Sequence, residues 1–240
     1  MSNDKLETIT AKYWQKRWSQ NEIGWQRDAV HKFLVKYVDE LTDYRSNLRV
    51  FVPLCGKSLD MLWLADQGHH VVGVDFVKHP IESFFEENNL TFSKLFKVKL
   101  AAACEQIDVY KCEEKQITIF CCDLFALTVE DVGGKFDAIW DRSSLSAVLP
   151  QVGDRGKRYT KHMRSFLTDN GGYMVESHRY NVDCGGLPPA CIPEELMKEI
   201  YGDHFIIKEL DVEKFAKDPK RSSFAFEYSL HYHLLKPKTN

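Results

Sequence analysis

The stretch from Leu48 to Asp75 constrains the fold more than any other part of the chain. Leu48-Arg49-Val50-Phe51-Val52 is a short apolar run stopped by Pro53, the pattern of a strand buried on both faces. Leu54-Cys55-Gly56-Lys57 makes a tight connection. Ser58 is placed to cap a helix from Leu59 to about Gln67, and Gly68 ends it. Val71-Val72-Gly73-Val74 is a second buried strand, with Asp75 at its end. Strand, glycine-bearing loop, helix and strand within about 30 residues form a βαβ unit with parallel strands.

The rest of the chain extends this unit in the same style. Phe136-Asp137-Ala138-Ile139-Trp140 and Tyr173-Met174-Val175-Glu176 read as further buried strands. Ile107 and Val109, then Ile117, Ile119 and Cys121, alternate around Glu113-Glu114-Lys115 as a hairpin. Helices are expected from Asp28 to Leu41, where Val30, Phe33, Leu34, Tyr37, Val38 and Leu41 make one apolar stripe, after Pro80, and over 154–168. A turn is expected at Asp169-Asn170-Gly171-Gly172, and closing strands at Phe205-Ile206-Ile207 and from Ser223 to Leu234. Residues 94–105 follow neither period. Trp14 and Trp18, four apart, share a helix face, and Trp25 follows in a loop. The reading is one doubly wound α/β domain. Residues 1–45 form a helical cover, 46–240 a nucleoside-binding core, and 179–193, rich in Gly and Pro, a second cover.

Composition removes several classes. A hydrophobic fraction of 44% suffices for a core. Thirty-two basic against 35 acidic side chains give a net charge of −3, which argues against a protein that holds nucleic acid by bulk charge. No apolar run approaches the ~20 residues of a membrane span, and Met1-Ser2-Asn3-Asp4-Lys5 lacks a signal pattern. Seven cysteines, two of them adjacent (Cys121 and Cys122) and none in a CxxC, suit a reduced cytoplasmic protein without a zinc site. Monomer is the default.

In an open α/β sheet ligands bind beyond the carboxyl ends of the strands. The candidate residues are therefore Leu54 to Ser58, Asp75-Phe76, Cys122-Asp123-Leu124 and Asp141-Arg142-Ser143. Asp75 follows Gly56 by 19 residues, close to a nucleoside site's spacing, and its carboxylate can accept from a ribose diol. The bland alternative is a solvated strand-end carboxylate. Asp123 can accept from an adenine amino group or cap the next turn. Gly56 allows close backbone approach. A phosphate-binding loop fails because Phe51 stands where its first glycine belongs, and the dinucleotide fingerprint fails because only Gly56 is present. A cofactor with ribose and base but no phosphate remains, and S-adenosylmethionine fits. Its sulfonium would be drawn to indole faces by about 0.5–2 kcal/mol, which gives Trp14, Trp18 and Trp25 a role beyond core packing. Arg142 can hold an anionic substrate or a thiolate, or pair with a carboxylate. His69-His70, His178, His231 and His233 show no catalytic or metal spacing and read as surface or core histidines.

The residues also resemble a known family. Val50-Phe51-Val52-Pro53-Leu54-Cys55-Gly56-Lys57-Ser58, Gly68 to Asp75, Trp14-Gln15-Lys16-Arg17-Trp18, Cys121-Cys122, Phe136 to Arg142 and Gly186-Leu187-Pro188-Pro189 look, in this order, like thiopurine S-methyltransferases. The resemblance implies a class I, Rossmann-like methyltransferase fold: a three-layer sandwich with a seven-stranded, mostly parallel sheet. It implies S-adenosylmethionine as methyl donor and an aromatic or heterocyclic thiol as acceptor. With the strand-end residues, Trp14, Trp18, Leu54, Gly56, Asp75, Phe76, Asp123, Leu124 and Arg142 form the expected cofactor set. Trp25, Arg142 and Arg221 form the expected substrate set. Many aromatic thiols ionise near neutral pH, so no dedicated catalytic base is expected. Trp25 replaces the family's usual phenylalanine, Asp123 the vertebrate serine and Ala190-Cys191 an aromatic pair, and 94–111 is longer than usual. Relatives methylate halide, thiocyanate, selenium or tellurium compounds, so these remain alternative acceptors. A non-catalytic cofactor-binding module is the rival from another class, and a nicotinamide oxidoreductase is disfavoured by the missing glycines.

Overall fold

The computed structural model describes residues 12–100, 106–148, 154–182, 188–217 and 226–238. The βαβ unit forms as its pattern requires. Strand β1 (Arg49–Pro53) pairs in parallel with β2 (His70–Asp75), Val50 opposite Val71 and Val52 opposite Gly73. Helix α3 (Leu59–Asp66) crosses between them, and Ser58 Oγ accepts from Asp60 N at 3.3 Å as its N-cap. A helix over 12–19 (α1) precedes α2 (Lys32–Thr42), and α4 (Lys78–Glu87) follows β2.

Among the described residues, nine strands share one sheet. With β3 (Ser93–Lys99), β4 (Gln106–Cys112), β5 (Ile117–Cys121), β6 (Phe136–Arg142), β7 (Leu167–Tyr180), β8 (Phe205–Phe215) and β9 (Tyr228–Pro237), the order is β3-β4-β5-β2-β1-β6-β7-β9-β8. The central run β5-β2-β1-β6-β7 is parallel. β4 on β5, β3 on β4, β9 on β7 and β8 on β9 are antiparallel. Among the described residues the strand count is thus nine rather than the expected seven, because β3 and β4 add an antiparallel pair at one edge. β3 escapes the period-two pattern for a physical reason: it is the edge strand, with a register shift between Leu95 and Val98, and Leu95 and Phe96 stay exposed.

Alternation in β1 splits the core into two layers. Phe51 faces α5 (Ser144–Val148), α6 (Arg155–Phe166) and α7 (Glu194–Tyr201), among Leu145, Met163, Phe166 and Ile200. Val50 and Val52 face α2, α3 and α4, among Leu34, Met61, Leu64 and Phe84.

Several boundaries differ from expectation, among them β8, which runs on to Phe215 rather than ending at Ile207. Residues 28–31 are not helical, because His31 is extended and caps α2, its Nδ1 accepting from Phe33 N at 3.3 Å. The turn expected at 169–172 lies inside β7, which shifts register there against β6. A Cβ on Gly172 would sit 2.1 Å from the Leu41 carbonyl oxygen, so the glycine serves close passage beneath α2 rather than a turn. β9 starts at Tyr228, and the expected strand residues 223–225 lie outside the described residues.

Candidate active site

The chain leaves β1 on one side of the sheet's centre and β6 on the other, so their following loops diverge and open a crevice. After β1, Leu54 and Gly56 both take left-handed backbone, with φ of 45° and 50°. This tight turn aims Gly56 N at the end of β2, where Asp75 Oδ2 accepts it at 2.9 Å, while Asp75 Oδ1 accepts Val77 N, also at 2.9 Å. Asp75 is buried. Burial pushes its pKa up to about 6, against the pull of the Val77, Gly56 and Phe76 amides. A carboxylate has about four lone-pair directions, so acceptor capacity remains for a ligand.

The N-terminal segment covers this turn. Trp18 packs so closely on Gly56 that a Cβ there would lie 3.1 Å from Trp18 Cζ2. Trp25 stands edge-on to Trp14 (5.0 Å, 90°) and to Trp18 (5.8 Å, 84°). The Arg17 guanidinium lies 5.3 Å from the Trp25 ring centre. Two hydrogen bonds pin the cover to opposite banks of the crevice. Gln26 Nε2 donates to Lys57 O after β1 at 3.3 Å, and Arg142 Nη2 at the end of β6 donates to Trp25 O at 2.9 Å.

The sequence-derived residues therefore divide. Trp14, Trp18, Trp25, Gly56, Asp75 and Arg142 come together. Arg142 is held by a backbone carbonyl, not by the carboxylate considered from sequence. Asp123 is exposed and caps the short 3-10 turn Leu124–Ala126, its Oδ1 accepting Phe125 N at 3.0 Å. Leu124 is buried, and Leu54 packs on the same core. Phe76 is half-buried, and its carbonyl lies 3.9 Å from Cys121 Sγ. Arg221 lies outside the described residues, as do Gly186 and Leu187.

The chain matches the thiopurine S-methyltransferase family over residues 9–234. It belongs to that family. It is 36% identical over 198 residues to the dog thiopurine S-methyltransferase, covering 82% of this chain and 78% of that one. It is 37% identical over 197 residues to the rabbit enzyme, covering 82% and 77%. Among solved structures, it resembles the Burkholderia thailandensis 1,6-didemethyltoxoflavin-N1-methyltransferase, determined with S-adenosylhomocysteine. The TM-score is 0.66 at 13% identity, over 98% of this chain and 91% of that one. The N-methyltransferase NodS from Bradyrhizobium japonicum aligns with a TM-score of 0.61 at 12% identity, over 94% and 98%. At such identities these two speak for the fold alone, a class I methyltransferase fold.

As a member of the thiopurine S-methyltransferase family, the chain is an S-adenosylmethionine-dependent methyltransferase. The crevice suits that cofactor. Asp75 has acceptor capacity left for a diol, Gly56 gives close backbone approach, and Trp14 and Trp18, each near perpendicular to Trp25, belong to the residue type whose ring face attracts a sulfonium.

The β6 and β7 bank supports the strand-end candidates Asp141 and Ser143 and holds two residues that sequence reasoning missed, Glu176 and His178. Asp141, fully buried, accepts from Tyr159 and Tyr173 hydroxyls at 2.7 Å each and from Ser144 N at 2.8 Å, which locks the end of β6. Glu176, opposite Arg142 in register, accepts from Ser143 Oγ, from His31 Nε2 at 2.9 Å and from Tyr232 Oη at 2.9 Å. Those donors hold its carboxyl far below the usual carboxylate range despite burial. His178, two residues on, is half-buried, with Nδ1 3.5 Å from Ser143 Oγ. A strand residue alternating with core neighbours gives no sequence signal for this. The one available hint was that Glu176 and His178 are polar at i and i+2 on a central strand.

Proposed function

We propose that this methyltransferase acts on the sulfur of an aromatic or heterocyclic thiol. The observation that carries the reading is the meeting of Arg142 and Trp25 over the crevice where Gly56 and Asp75 end β1 and β2. When bound, S-adenosylmethionine supplies an electrophilic methyl group on its sulfonium. Asp75 accepts the ribose hydroxyls, and Trp14 and Trp18 line the cationic end. Leu54, Phe76, Asp123 and Leu124 complete the nucleoside side. Trp25 stands between cofactor and acceptor and excludes water. Arg142 exchanges the Trp25 carbonyl for the acceptor's anionic sulfur, whose charge a guanidinium favours. Holding the nucleophile and the methyl in line then supplies most of the acceleration. Arg221 is the second arginine of the acceptor side. The protein works as a cytoplasmic monomer of one domain. Among the described residues no helix is long and apolar enough to cross a membrane.

Calorimetric titration with S-adenosylhomocysteine, followed by labelled S-adenosylmethionine with a panel of thiols, tests the reading. Binding with transfer to aromatic or heterocyclic thiols is expected. Binding with transfer only to halide, thiocyanate or chalcogen anions would replace the acceptor, and binding with no transfer to any of them would leave a cofactor-binding module. Arg142→Ala should reduce turnover of anionic thiols while changing S-adenosylhomocysteine affinity little. Equal losses on charged and neutral acceptors would remove Arg142 from the acceptor side.

A further inference from the structure

Recognising a purine asks for an acceptor held in a fixed place, and the turn after β5 is too short to hold one by itself. It spans three residues, Leu124–Ala126, and a helical turn of that length has little stability of its own. It nevertheless borders the crevice. Cys121 lies opposite Asp75 in register, and Cys122 N donates to Asp75 O at 3.1 Å, so Asp123 and Leu124 leave β5 alongside Asp75. Asp123 caps the turn through Oδ1 alone, and its side chain is exposed.

What fixes the turn comes from α6. His162 Nε2 lies 2.8 Å from Leu124 O, the same carbonyl that Leu127 N reaches at only 3.3 Å within the turn. A carbonyl only accepts, so Nε2 carries the ring hydrogen. Burial lowers the His162 pKa, which keeps a second proton off the ring at neutral pH. The imidazole also lies 5.4 Å from the Phe125 ring centre and stands edge-on to Phe166 (4.9 Å, 85°). The Arg158 guanidinium, one helical turn earlier, sits 4.4 Å from the same Phe125 ring. Ring contacts hold the Phe125 side chain. The hydrogen bond holds backbone, at the residue next to Asp123.

We infer that His162 is a positioning residue for base recognition: by holding the Leu124 carbonyl it keeps Asp123 where its carboxylate accepts from the 6-amino group of the cofactor's adenine. The Nε2 hydrogen is spent on a bond within the protein, so His162 changes the preference for the base only through the turn. The inference rests on the nucleoside reading of Asp123 above.

The test compares S-adenosylhomocysteine with its 6-deamino analogue, in which hydrogen replaces the amino group of the base. By calorimetric titration the unaltered protein should bind the parent roughly 10–10²-fold more tightly, the scale of a hydrogen bond to a charged group. Asp123→Asn, which still caps the turn, should bring that ratio close to one. His162→Phe keeps a ring against Phe125 and Phe166 but has no donor, and should cut the ratio by roughly 3–10-fold, the net worth of one ordinary hydrogen bond. His162→Gln, whose amide N–H can reach the same carbonyl, should keep most of it. A merely structural role would weaken both ligands alike and leave the ratio unchanged. An unchanged ratio in folded His162→Phe, or a ratio in folded His162→Gln as low as in His162→Phe, overturns the inference. If neither His162 variant folds, the imidazole ¹⁵N spectrum of the unaltered protein decides: hydrogen on Nε2 of His162 supports the inference, and hydrogen on Nδ1 overturns it. A preference that Asp123→Asn removes and His162→Phe keeps costs this inference alone. An unaltered protein without the preference, or one whose preference survives in Asp123→Asn, loses the reading of Asp123, and this inference with it.

Discussion

Asp75 is held by the backbone it helps to shape. Gly56 and Val77 amides occupy one lone pair on each carboxylate oxygen, and burial raises its pKa to about 6. A diol donates to the ionised form, so nucleoside affinity should fall as pH drops below about 6, and binding there should release a proton. Removing the carboxylate in Asp75→Ala should cost about 1.5–3 kcal/mol of S-adenosylhomocysteine affinity, the range for hydrogen bonds to a charged group. Calorimetry at two pH values, each in buffers of different ionisation enthalpy, measures both effects. A pH-independent affinity would detach Asp75 from the ligand.

At the scale of elements, the cover is joined to the sheet through the residues that begin α2. His31 caps that helix through Nδ1, its amide donates to Asp60 Oδ1 at 2.8 Å, and its Nε2 donates to buried Glu176. Asp60 in turn accepts from Trp140 Nε1 at 2.8 Å, so α2, α3, β6 and β7 meet in one polar seam through an otherwise apolar core. His31→Ala removes a cap worth about 1 kcal/mol and leaves Glu176 short of a donor at about 1–3 kcal/mol, so a total loss of about 2–4 kcal/mol is expected. Urea unfolding measures it. His31→Asn, which restores only the cap, should recover about 1 kcal/mol. A loss well below 1 kcal/mol in His31→Ala would mean that the seam is not cooperative.

Across the whole molecule, buried imidazoles set the response to acid. His69, His162, His178, His231 and His233 are all held below their ordinary pKa, chiefly by burial, the last to about 4. Unfolded histidines gain protons near pH 6.5 while the folded ones refuse them. The unfolded state then binds more protons, and stability falls as pH drops from about 6.5 towards 4. For nearly buried His233 the effect reaches about 3 kcal/mol, at about 1.4 kcal/mol per pH unit. Asp75 and Asp141, both raised by burial, have the opposite sign, since the folded state keeps their protons to higher pH than the unfolded chain. Five histidines against two carboxylates leave a net loss, so the urea midpoint should be lower near pH 5 than near pH 7. An equal or higher midpoint at the lower pH would contradict it.

What the sequence determined by itself was whatever local order can write. The βαβ unit, the Ser58 cap, the hairpin through 113–115 and the strand-end positions of Asp75 and Arg142 follow from periodicity and punctuation, because buried strands and helix caps impose those patterns on their own residues. Tertiary structure alone decided the rest. Edge strand β3 was hidden because an exposed strand need not alternate, and the glycines at 171–172 imitated a turn because close passage and turning ask for the same residue. The contact between Arg142 and Trp25 spans 117 residues, and that between Ser143 and His178 spans 35. No local pattern encodes such pairs. They exist because the order of strands in the sheet carries the ends of β6 and β7 beneath the N-terminal cover.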